Sequence, residues 1–142
     1  MTTRKKILVP IELEGWERAV ALARELSAPL GADLVLMHAI RPLVNVYPDL
    51  PEKLFVEATR EVEAASRKLL EEIAGQTKAR VIVRIGEPVA TILSVAAEEN
   101  ADMVVMGTHG RRGLPRFFLG SVAERVVRQC QVPVVTVRPA DR

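Results

Sequence analysis

Residues 102–137 read DMVVMGTHGRRGLPRFFLGSVAERVVRQCQVPVVTV, and this stretch decides the fold. An apolar run, Asp102–Met106, stops at Gly107. A loop follows with glycines at 107, 110, 113 and 120. A helical pattern opens near Ser121 and places Ala123, Val126, Val127 and Cys130 on one apolar stripe. A second apolar run, Val132–Val137, closes the stretch. Runs so continuously apolar are predicted to be strands covered on both faces, which is the situation of a parallel sheet. A strand, a helix and a parallel strand form one crossover unit, and such units are right-handed.

The same alternation extends back to the start of the chain. Lys6–Ile11 (KILVPI), Asp33–Ile40 (DLVLMHAI) and Ala79–Ile85 (ARVIVRI) are predicted strands. Trp16–Leu30 is a predicted helix with Trp16, Ala19, Val20, Ala23, Leu26 and Leu30 inward. Pro51–Ala74 is a second, with Leu54, Ala58, Val62, Ala65, Leu69 and Ile73 at helical spacing and Gly75 as its stop. Pro88 opens a third, at a position that tolerates its missing N–H, with Val89, Leu93, Ala96 and Ala97 on its stripe. Arg41–Pro51, with three prolines, reads as a surface loop. The order β-α-β-α-β-α-β-α-β predicts an open, Rossmann-like α/β sheet.

Composition agrees. A chain of 142 residues suits a single domain spanning 1–142, and 49% hydrophobic with 27% charged residues excludes disordered and fibrous classes. Only five residues are aromatic, so the core is aliphatic. The single cysteine, Cys130, excludes an internal disulfide and suits a cytoplasmic location. No apolar stretch is long enough for a membrane span or a signal peptide's core. The net charge is +2, but it is unevenly spread. Residues 1–106 carry 13 basic and 16 acidic side chains, whereas 107–142 carry seven basic and two acidic. The positive end contains the glycine loop.

Phosphate binding needs main-chain N–H donors at close range and a positive field. Glycines admit the close approach, and a helix N-terminus supplies the donors and the dipole. Gly120-Ser121 opens such a helix, Ser121 adds a hydroxyl, and Arg111, Arg112 and Arg116 add charge. The loop is neither a Walker A sequence nor a dinucleotide fingerprint. Ser121-Val-Ala-Glu124 also reads as a capping box. On spacing alone, a phosphate cradle and a structural turn stand equal.

Gly107-x2-Gly110-x9-Gly120-Ser121 resembles the G-x2-G-x9-G-(S/T) motif of the ATP-binding universal stress proteins. KILVPI is similar to that family's first strand, LVLMHAI to its second, Gly86–Pro88 to its G-x-P turn, and PVVTVRP to its closing strand. The resemblance covers nearly the whole chain. It implies a five-stranded sheet of order 3-2-1-4-5 and an adenine nucleotide (ATP, ADP or AMP, with Mg2+ arriving on the phosphates) between strands one and four. That place is also where open α/β sheets bind ligands, since the strand order reverses there. By the resemblance, Pro10, Ile11 and Glu12 border adenine, and Ala39 packs against it. Gly107 lies by the ribose, while Gly110, Gly120, Ser121 and Val122 hold the phosphates. Thr108, His109 and Arg111 complete the candidate nucleotide-binding set, although a loop histidine such as His109 is more often a solvated turn residue. One departure stands out. The family's first strand usually ends in Asp followed by a small hydroxyl residue, whereas here it ends Glu12-Leu13-Glu14. The longer Glu12 reaches a different point, and Glu14 adds a second negative charge.

The remaining residues read more plainly. His38 ends a buried strand and is expected to pack or to bind main chain. Two histidines without ligand spacing do not make a metal site. Phe117 and Phe118 beside Arg116 are expected to anchor their loop with one or both rings rather than to stack on nucleic acid. Arg125 and Arg128 fall on a solvated helix face. The last strand is an apolar edge, which favours a homodimer paired through Val132–Val137. The expected function is nucleotide-dependent stress regulation through a protein partner. The alternatives are a slow ATPase or self-phosphorylating enzyme, and a nucleotide-free dimeric interaction module.

Overall fold

The computed structural model describes residues 4–12, 14–75, 77–108 and 119–139. The elements follow the predicted alternation: β1 (Lys5–Pro10), α1 (Glu17–Leu30), β2 (Ala32–Ile40), α2 (Glu52–Ala74), β3 (Arg80–Ile85), α3 (Pro88–Glu98), β4 (Met103–Gly107), α4 (Ser121–Gln129) and β5 (Val134–Val137). The stretch between β2 and α2 contains one 3-10 turn, Leu43–Asn45. The strands form one parallel sheet in the order β3-β2-β1-β4-β5.

Alternate strand residues enter opposite layers. Ile7, Val9, Leu34, Leu36 and Val105 pack under α1 and α2 with Ala19, Val20, Ala23, Leu70 and Ile73. Leu8, Val35, Met37, Val104 and Met106 pack under α3 and α4 with Val89, Ile92, Val95, Ala123 and Val126. Both faces of the central strands are therefore covered, which is why their sequences do not alternate.

The helical stripes needed correction. In α2, Leu54 and Val62 are exposed, at 51% and 38%, while Ser66, Leu70, Ile73 and Ala74 are buried. The buried residues of α2 all lie in its second half. In α3, Ala97 is exposed and Ile92 and Val95 take the inward positions. In α4, Val127 is 45% exposed. Cys130 is the residue after the helix, extended at φ −72°, ψ 137°, and half-buried. β5 begins at Val134 rather than Val132, because pairing with β4 starts there.

Candidate functional site

β1 belongs more to β2 than to β4. It pairs with β2 along all of its length, from Lys5↔Ala32 to Pro10↔Met37. With β4 it pairs only at Ile7↔Met103 and Leu8↔Val104. Backbone parity explains where the pairing stops. The Lys6 N–H donates to the Asp102 carboxylate at 2.9 Å, and the Asp102 N–H donates to the Lys6 carbonyl at 2.8 Å. Even-numbered residues of β1 thus turn their main chain toward β4. Pro10 is the next such residue after Leu8, and it has no N–H to give. The β1–β4 ladder cannot continue through it, and the carboxyl ends of the two strands part.

Two loops meet at this crevice. The β1–α1 loop carries Gly15 at φ 73°, a conformation that favours glycine. A Cβ on Gly107 would sit 3.4 Å from the Gly15 carbonyl oxygen and 3.8 Å from that of Val137. Backbone thus lies over the end of β4, at the distance of ordinary van der Waals contact for a Cβ there. On the other side, the Thr108 N–H donates to the Val137 carbonyl at 3.0 Å, and the Gly120 N–H donates to the Thr108 carbonyl at 2.9 Å. Thr108 and Gly120 are the two ends of the glycine loop, and this bond closes its neck.

The neck delivers α4 to the crevice with its N-terminus open. Gly120 is the N-cap residue, at φ −55°, ψ 150°, and no side chain among the described residues caps the helix. Ser121 is the first helical residue, so the predicted capping box does not form. Glu124 instead pairs with Arg128 at 2.8 Å, one turn on. A reciprocal box requires the Ser one position earlier. First-turn N–H groups have no partner within their own helix.

α3 on the same side of the sheet is different. Its N-terminus is filled by its own Glu87, whose carboxylate accepts the Val89 N–H at 3.2 Å and the Ala90 N–H at 2.8 Å. The Ala90 N–H, then the Val89 N–H, Arg125 and Arg41, hold the Glu87 carboxyl below its usual range against a smaller opposing effect of burial. Arg125, expected simply on a solvated face, crosses from α4 to Glu87 at 3.5 Å while staying half-exposed. Of these two helix N-termini, α3 carries a built-in anion, and α4 has none among the described residues.

Among the residues expected at the site, Pro10 and Ile11 are buried, Glu12 and Ser121 exposed, and Ala39, Gly107, Gly120 and Val122 half-buried, while Thr108 is 7% exposed. Pro10, Ile11, Glu12, Gly107 and Thr108 lie at the parted ends of β1 and β4; Gly120, Ser121 and Val122 open α4 beside them. His109, Gly110, Arg111, Arg112, Arg116, Phe117 and Phe118 lie outside the described residues. Two features escaped the sequence reading. One is the contact of Gly15 with Gly107, for which Gly15 itself, after two glutamates, was a turn signal. The other is the partner of His38: the imidazole binds main chain, as expected, with its Nδ1 2.6 Å from the Ile11 carbonyl oxygen. Nothing local in the sequence links residues 27 positions apart.

Residues 3–138 match the model of the universal stress protein family. The chain is 31% identical over 141 residues to universal stress protein MJ0531 of Methanocaldococcus jannaschii, covering 94% of this chain and 82% of that protein. It is 36% identical over 126 residues to a universal stress protein of Thermus aquaticus, covering 86% and 89%. Among solved structures, that of MJ0577 superimposes with a TM-score of 0.85 at 24% identity, over 99% of this chain and all of the other. A universal stress protein solved in complex with cAMP superimposes with a TM-score of 0.66 at 22% identity, over 98% and 100%.

Proposed function

The chain belongs to the universal stress protein family, and from that premise we propose that it is a stress-response regulator that binds an adenine nucleotide in the β1–β4 crevice. The observation that carries this reading is the uncapped N-terminus of α4, held beside the parted strand ends by the Thr108–Gly120 bond. Main-chain donors and a positive dipole end are what a phosphate chain requires. That a fold relative was solved with cAMP supports the purine as the other half of the ligand. Pro10, Ile11 and Ala39 supply the surface for the base, and the exposed Glu12 borders it. Gly107 and Thr108 border the ribose. Gly120, Ser121 and Val122 hold phosphate, with His109, Gly110 and Arg111 completing that end. Mg2+ would arrive on the phosphates and keep several of its waters.

The protein acts in this reading as a cytoplasmic homodimer that passes its nucleotide state to a protein partner, since a ligand shifts a protein only by binding two of its states unequally. Isothermal titration with ATP and Mg2+ tests it. Binding is expected at micromolar to millimolar ATP, and Gly120→Val should abolish it with the thermal melt retained, because the valine side chain enters the space of the phosphate. The φ of −55° at Gly120 suits any residue, so the backbone itself tolerates the change. An absence of heat at millimolar ATP removes the reading.

A further inference from the structure

His38 lies on β2 in the layer covered by α1 and α2, between Leu36 and Ile40, and is 7% exposed. The Ile11 carbonyl, 2.6 Å from its Nδ1, can only accept, so Nδ1 carries a proton and donates. The Ile11 N–H donates to the Met37 carbonyl at 2.7 Å. Ile11 is therefore tied to β2 twice, once by main chain and once by the imidazole. It is the first residue beyond β1, immediately after the proline at which β1 leaves β4. The imidazole provides the donor that the Ile11 carbonyl takes just where the β1–β2 ladder ends.

We propose that His38 is the positioning residue of the crevice: its Nδ1–H holds Ile11, and with it the bend at Pro10–Glu12, on the β2 side, which keeps the gap above β4 open for the flat purine base. The proposal rests on the adenine-nucleotide reading given above and adds to it a residue that acts through Ile11. Without the imidazole donor, a buried carbonyl is left unpaired, which is costly enough to turn the chain toward another partner. Only part of the population then keeps the crevice open, and apparent affinity falls by that fraction.

The test compares His38→Asn with His38→Gln. Both are buried amides, but the Asn amide group reaches the place of Nδ1, whereas the Gln amide reaches the place of Nε2. Titration with ATP should give about tenfold weaker binding for His38→Gln, with recovery to within about threefold for His38→Asn. Hydrogen exchange of the Ile11 amide, read without ligand, should speed up in the Gln variant and be restored in the Asn variant. Two-dimensional 15N spectra of the wild-type imidazole should show Nδ1 protonated, a readout that needs no variant to fold. An Nε2–H tautomer overturns the proposal, and so does wild-type ATP affinity in His38→Gln. If the wild type binds no ATP while the tautomer and exchange results hold, the nucleotide reading has failed and His38 is a structural clasp only, which also ends its role in positioning ligand.

Discussion

Single residues at this sheet end do work that their types alone do not announce. Pro10 looks like a fault in a central strand, yet its missing N–H falls on the side where β1 must leave β4. Glu87 is an unusual N-cap, but its two oxygens take two first-turn N–H groups of α3. Loss of a helix cap costs about 1 kcal/mol. Glu87→Ala should therefore destabilise the protein by about 0.5–1 kcal/mol at pH 7, in line with a cap that remains half-exposed. The folded-state pKa of Glu87 lies below its unfolded value, so the carboxylate's contribution is complete above the ordinary glutamate range. It fades as pH falls through the folded value. Urea melts of both proteins at pH 7 and near pH 3 should show the gap closing at the lower pH; a gap independent of pH contradicts the cap.

At the level of elements, helices are held by what lies beneath them. Leu70 of α2 is fully buried, whereas Leu54, earlier on the same helix, is 51% exposed. Leu70→Ala should cost about 2–5 kcal/mol through lost burial and the cavity left behind. Leu54→Ala should cost under about 0.5 kcal/mol, as for an ordinary surface change. Equal losses in denaturant melts would mean that the first turns of α2 are covered in solution. α4 offers a second check. Ser121 is inside the helix rather than its cap, so Ser121→Ala should change stability by less than about 0.5 kcal/mol. A loss of about 1 kcal/mol would place the cap on Ser121 after all. The elements themselves were legible because apolar runs and helical stripes differ in period. The faces of α2 and α4 were only half legible, since a stripe shows which residues could be inward and not where the sheet ends.

Across the whole molecule, the sheet leaves β3 and β5 as its two edges. β5 pairs with β4 through odd-numbered carbonyls: Pro133 accepts from Val104 at 2.9 Å and Val137 from Thr108 at 3.0 Å. The main chains of Val134 and Thr136 consequently face away from β4. An antiparallel two-fold partner would pair there, which is the surface of the proposed homodimer. Thr136→Pro removes an outward N–H without touching the β4 ladder. Sedimentation equilibrium should find a dimer for the wild type at micromolar concentration and a monomer for Thr136→Pro. A wild-type monomer at that concentration rules the strand-paired dimer out. Among the described residues no helix is long and apolar enough to cross a membrane.

The order of strands and helices, the aliphatic two-layered core and the glycine loop leading into α4 follow from the sequence alone, because each rests on local periodicity or local backbone freedom. The family follows too, since its motif depends on spacing along the chain. Tertiary structure alone decided that β1 parts from β4 after Leu8, that α4 rather than α3 keeps an open N-terminus, and that an imidazole on β2 clasps Ile11. Those facts depend on hydrogen bonds between residues far apart in the chain, whose partners are chosen by the geometry of the packed sheet and by no pattern within either segment.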